Sequence, residues 1–150
     1  DLAFAASGGA KKNVSGLRGK VTILHFWGSW CGPCRREMPD LQKLHERIRS
    51  RSDVALVLLQ TRERFEVSQR WARGQNIKLP LFDSGSTGES DDHFQVAGGT
   101  KIRDREIAAR FPTTYVLDKH GVVVFANVGP VHDWRQYEAF ILDAAARSGK

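Results

Sequence analysis

Cysteine is scarce in this chain: its 150 residues contain two, Cys31 and Cys34. A disulfide scaffold or a four-thiolate zinc site is thereby excluded, since either needs more sulfur ligands. No run of about 18 apolar residues occurs, so no segment reads as a membrane span. The opening stretch, Asp1 to Ser7, lacks a basic start and is too short for a signal peptide. No nucleotide or flavin motif is present, so no cofactor is expected, and no internal repeat is visible. Acidic residues are in deficit, 17 against 23 Lys and Arg, which leaves a net charge of +6. Aromatic residues are not interleaved with this basic surplus, as a nucleic-acid surface would require, and no nucleic-acid partner is expected. Arg47, Arg49 and Arg51 instead suit a helix C-terminus, and the surplus can steer acidic protein partners.

What is present is an ordinary globular composition, 41% apolar and 27% charged, in a length that suits one α/β domain over residues 1–150. Its most informative segment is Trp30-Cys31-Gly32-Pro33-Cys34. The apolar run Val21 to Trp27 before it reads as a buried strand, and Arg35 to Ser50 after it reads as a helix. A cysteine pair at such a junction puts the first sulfur at a helix N-terminus, where free N–H groups and the macrodipole favour a thiolate. Cys31 is then the exposed attacking thiol and Cys34 the buried resolving one. Gly32 and Pro33 fit between them, because proline in a first helical turn gives up no needed N–H.

In the first strand Val21, Ile23, His25 and Trp27 share one face, and Thr22, Leu24 and Phe26 share the other. Both faces are largely apolar, as in a central strand covered on both sides. Residues 1–20 read as a hairpin extension and connector, 54–59 as a second buried strand, 65–73 as a helix stopped by Gly74, and 79–82 as a short strand. Pro39 should kink the first helix. Residues 84–106 read as a long loop with one helical turn. A hairpin follows, 114–117 and 122–126 about the turn Asp118 to Gly121. Asp133 then caps a last helix with Gln136 as its box partner, burying a stripe of Trp134, Tyr137, Phe140, Ile141 and Ala144.

Together with Phe111-Pro112-Thr113-Thr114 and the segment from Gly19 through the cysteines to Glu37, Met38 and Pro39, the chain resembles the thioredoxin superfamily. It is most similar to the extracytoplasmic TlpA/ResA/CcmG-type thiol–disulfide oxidoreductases of bacteria. Leu79-Pro80 with Asp83, Asp118 with Gly121, and Gly129 with Asp133-Trp134 extend the likeness over most of the chain. The resemblance implies a thioredoxin-like fold, a mixed sheet flanked by helices, with an N-terminal hairpin and a segment of about 84–110 inserted before a cis-proline. It implies that Pro112 is that proline and that the backbone of Phe111 pairs with a substrate strand.

Glu37 matches a glutamate that modulates the thiols in ResA-like proteins. A carboxylate near two sulfurs opposes thiolate formation and can relay a proton; alternatively, an acid early in a helix merely answers the dipole. His25 departs from the family, since thioredoxins carry a buried aspartate at its position and TlpA-like proteins commonly an asparagine. A buried neutral imidazole could take a proton from Cys34 through water, or could hydrogen-bond a core carbonyl. Trp27 and Trp30 divide between packing under the site and offering an apolar docking surface.

The resemblance implies a reductant of protein disulfides in the bacterial cell envelope, supplied by a membrane-bound thiol reductant and serving cytochrome c maturation or copper-centre assembly. A periplasmic monomer is expected, with any membrane anchor lying outside these residues. The same site could serve a disulfide oxidase or isomerase. Two thiolates and a histidine could also bind Cu(I) in a metallochaperone, although no histidine has the spacing of a ligand. Residues 97–110 read either as a tolerated surface excursion or as a selector of the partner protein.

Overall fold

Val21–Trp27 forms β3, buried at every position, because its alternating side chains feed two separate apolar cores. Val21, Ile23 and Trp27 join Cys31, Cys34, Met38, Leu41 and Leu44 in the first. Leu24 and Phe26 join Phe4, Val57, Leu59, Phe94 and Leu117 in the second. Each fully buried side chain of this kind contributes roughly 1.5–3 kcal/mol. The computed structural model describes residues 1–88 and 92–147.

The remaining strands are β1 (Ala3–Ala5), β2 (Lys11–Asn13), β4 (Val54–Gln60), β5 (Leu81–Phe82), β6 (His93–Gln95), β7 (Lys101–Arg103), β8 (Thr113–Leu117) and β9 (Val123–Val128). The helices are α1 (Gly32–Ile48), α2 (Phe65–Gly74), α3 (Asp104–Ile107) and α4 (Glu138–Ala146). The central sheet has the order β5-β4-β3-β8-β9. β3, β4 and β5 run parallel, while β8 is antiparallel to both β3 and β9. α1, α2 and α4 supply the first core, and the β1–β2 hairpin, β6, β7 and α3 cover the other face. The mixed sheet flanked by helices is therefore present, with hairpins completing one of its two layers.

Several boundaries differ from expectation. α1 begins at Gly32, not Arg35, because Cys31 itself is the N-cap and its sulfur accepts the Cys34 N–H at 3.3 Å. Pro39 lies inside α1, as expected, and its ring nitrogen leaves the Arg35 carbonyl without a helical donor. The expected loop 84–106 contains the β6–β7 hairpin and α3; Phe94 is its buried anchor. Residues 89–91 of that expectation lie outside the described residues. Phe140 is 41% exposed and is not part of the buried stripe. Trp134–Tyr137 is a tight 3-10 turn, which shifts the face that α4 presents, so Trp134, Ile141 and Ala145 are the buried positions. Asp133 does cap this turn, but through the Arg135 N–H at 3.0 Å and not with Gln136 as a box partner.

Candidate active site

Cys31 and Cys34 are joined as a disulfide, with Cα atoms 5.2 Å apart. Both cysteines are buried, so Cys31 is not exposed as expected, but it keeps 5% of its surface where Cys34 keeps none, and an incoming group meets Cys31 first. Pro33 occupies the first turn of α1, as its missing N–H allows. The terminal guanidinium of Arg36 lies 3.3 Å from where a Gly32 Cβ would stand. A side chain at Gly32 would therefore displace only a flexible arginine. Arg35 and Arg36 are themselves exposed.

The Phe111–Pro112 bond is cis. Pro112 is buried at the entrance to β8, and the Phe111 carbonyl oxygen lies 3.4 Å from Cys31 Sγ. The Phe111 ring meets Trp30 edge-to-face at 6.3 Å. Trp30 is the exposed tryptophan, at 45%, and Trp27 is the buried one, packed on Trp71. The Trp30 indole is pinned by its Nε1 donating to the Thr61 carbonyl at 2.7 Å. A Cβ at Gly28 would collide with that indole, which accounts for glycine there.

Glu37, three residues after Cys34 on α1, and His25 form a buried polar group. The β3–β8 register pairs His25 with Thr114, and Nδ1 and the Thr114 hydroxyl lie 2.8 Å apart. His25 Nε2 lies 3.2 Å from Glu37 Oε1, but off the line of a hydrogen bond, so both atoms lack a bonded partner. Glu37 Oε2 accepts the Val131 N–H at 2.5 Å and the Trp134 indole N–H at 3.2 Å. Answering the α1 dipole is therefore not what holds this carboxylate; its bonds cross to the segment before α4. Cys34 and Glu37 are three apart on α1, hence neighbours on one face. Among the described residues neither sulfur is hydrogen-bonded to Glu37 or His25.

A second polar group, not anticipated from sequence, follows β4. Buried Glu63 accepts the Ser29 N–H at 3.1 Å, the Ser29 hydroxyl at 2.6 Å, and the Ser68 hydroxyl. This ties the loop before Cys31 to the start of α2. Arg62, beside Glu63, has a positive φ of 58°. Its N–H donates to Asp92 at 2.6 Å and its Nε to Asp104 at 2.9 Å. The one available signal was position: Thr61 to Arg64 follows the carboxyl end of a parallel strand, where α/β sheets carry their sites.

Among the described residues no group of three or more His, Cys, Asp or Glu side chains is placed to hold a metal ion, and no helix is long and apolar enough to cross a membrane. A cysteine pair whose first member is the less buried, set at a helix start opposite a backbone carbonyl, is suited to exchange with a second disulfide. Fold and site thus define the class of thioredoxin-like thiol–disulfide oxidoreductases. The Redoxin family model matches residues 1–141, and the chain belongs to that family. It is 28% identical over 130 residues to the thioredoxin-like protein YneN of Bacillus subtilis, covering 86% of this chain and 68% of that protein. It is also 28% identical over 121 residues to the thiol-disulfide oxidoreductase ResA of Bacillus cereus, covering 81% and 62%. The chain thus spans about three fifths to two thirds of these relatives' length. A thioredoxin-family thiol:disulfide interchange protein from Chlorobium tepidum shares the fold, with a TM-score of 0.66 at 22% identity over 97% of this chain and 93% of that one.

Proposed function

We propose that this protein reduces disulfides of specific protein clients in the bacterial cell envelope. The observation that carries this reading is the position of Cys31 Sγ: on the less buried of the two cysteines, at the N-cap of α1 and 3.4 Å from the Phe111 carbonyl. In the reduced protein the helix N-terminus favours the Cys31 thiolate. That thiolate attacks one sulfur of the client disulfide, forming a mixed disulfide and releasing the first client thiolate. Cys34, deprotonated, then attacks Cys31 Sγ. The Cys31–Cys34 disulfide forms and the second client thiolate leaves. Two electrons pass from the dithiol to the client, and the two protons lost by the cysteines end on the client thiols. A membrane-bound dithiol donor returns the electrons by the same exchange.

Pro112 and the Phe111 backbone hold the client strand against Cys31, with Trp30, Gly32 and Pro33 forming the contact surface. Glu37 and His25 govern proton movement at the buried thiol. No cofactor beyond the cysteine pair is required, and the protein works as a monomer. The likeness to the TlpA/ResA/CcmG group supports an extracytoplasmic location and clients in cytochrome c maturation or copper-centre assembly.

The deciding measurement is the reduction potential of the cysteine pair, read by equilibration in a defined thiol buffer. A value near or below about −220 mV fits a dedicated reductant. A value of about −120 to −180 mV, where strong oxidants and isomerases lie, replaces this reading with disulfide formation or shuffling.

A further inference from the structure

Arg62 stands at the active site without having been part of any sequence motif. Its guanidinium lies 5.7 Å from the Trp30 ring centre and 5.4 Å from that of Phe111, the two aromatic residues that frame Cys31. Cation–π attraction to both rings holds the group beside them. Behind it, Nε is held by Asp104 at 2.9 Å, and Asp104 is itself buried and bonded to the Thr61 hydroxyl at 2.9 Å. The Arg62 backbone sits in the left-handed region, and its N–H bond to Asp92 holds it there. Asp92 in turn accepts from the Ser86 hydroxyl and from the Thr87 and His93 N–H groups. Among the described residues no hydrogen bond engages the two terminal nitrogens of Arg62, and its side chain is 37% exposed.

Among the described residues, the charged groups named here divide by burial. Glu37, Glu63, Asp92 and Asp104 border the site, and all four are buried with internal partners. Arg35, Arg36, Arg64 and Arg110 adjoin it in sequence and are exposed, and no ion pair among the described residues includes them. The carboxylates face inward and the guanidinium groups face out.

Building on the thiol-exchange reading above, we infer that Arg62 is a specificity-determining residue that selects client disulfides with an acidic residue beside the reacting cysteine. A client strand laid along the Phe111 backbone brings its flanking side chain to the guanidinium, whose two terminal nitrogens suit a bidentate carboxylate. The inserted segment acts on client choice through this residue: Asp92, before β6, and Asp104, at the start of α3, fix where the cation sits.

The experiment uses three short peptides with an internal disulfide, identical except for Asp, Asn or Lys beside one cysteine. Second-order rates of their reduction by the reduced full chain are compared. The wild-type protein is expected to favour the Asp peptide over the Asn peptide by about tenfold and the Lys peptide least, with the ratio shrinking as salt screens the pair. Arg62→Gln brings the three rates together, Asp104→Asn lowers the Asp/Asn ratio, and Arg62→Glu reverses the order. A gain on the Lys peptide cannot come from a misfolded variant. Equal wild-type rates, or an order unchanged in both Arg62 variants, overturn the inference and leave the exchange reading standing. No reduction of any of the three overturns the exchange reading itself, and the inference with it.

Discussion

Glu37 on α1 accepts the backbone N–H of Val131, 94 residues further along the chain, at 2.5 Å. The same oxygen takes the Trp134 indole N–H, and both donors belong to buried residues. Glu37 is therefore a structural tie between the cysteine helix and the segment leading into α4, whatever it also does for the thiols. Removing it strands two buried donors, each of which costs about 1–3 kcal/mol when unpaired. Glu37→Ala is expected to lower the unfolding free energy by about 2–4 kcal/mol in urea titration. Glu37→Gln, which keeps one oxygen acceptor, should lose less. Equal losses would mean that the charge, not the acceptor, matters.

The difference in access between the two sulfurs assigns them different fates. Cys34→Ser should accumulate a one-to-one mixed disulfide between Cys31 and a client, visible by intact mass and released by reductant. Cys31→Ser should form none, because Cys34 has no exposed surface. Trapping through Cys34 in the latter variant would reverse the assignment.

His25 connects Thr114 to Glu37 on the face of β3 that carries the first core. If this group moves protons during the resolving step, His25→Asn changes the pH–rate profile for disulfide exchange. An asparagine with the wild-type profile would reduce His25 to a packing residue.

His45 offers a test of stability against pH. Burial, aided by the Arg49 guanidinium, holds its imidazole below the ordinary value of 6.5. The unfolded chain therefore takes up this proton first as the pH falls, so the contribution is complete above 6.5 and is lost below it. His45→Gln is expected to flatten the dependence of the urea midpoint on pH just below 6.5. An unchanged slope there would assign it to other groups.

Gly28→Ala tests how firmly the exposed indole is placed. The added methyl occupies space held by the Trp30 ring, so the ring must turn and surrender its bond to Thr61. The variant should show greater acrylamide quenching of tryptophan emission, and should exchange more slowly with a protein disulfide. Wild-type quenching would show that the loop relaxes without moving Trp30.

The redox site was legible from the sequence because its determinants are local. A strand, two cysteines with two residues between them, a proline able to occupy a first helical turn, and a helix lie within one short stretch, and helix geometry alone brings Cys31 and Cys34 together. The alternation along β3 likewise foretold two cores, since successive side chains of a strand point to opposite faces. The legible part ended where the order depended on distant contacts. Residues 84–106 lacked periodicity, yet Phe94 buries in the second core and Asp92 and Asp104 fold onto Arg62. Phe140 fitted a helical stripe that the 3-10 turn before α4 rotated away.

By itself, then, the sequence determined the α/β class, the central strand, the dithiol and its place at a helix start, all products of periodicity and short-range geometry. Only the tertiary structure decided which carboxylates the core would consume, that His25 would meet Thr114 and Glu37, and that an arginine after β4 would stand beside both Trp30 and Phe111. Those pairings join residues tens of positions apart. Their energies depend on strand register and burial, and neither is set until the sheet and its two layers have closed.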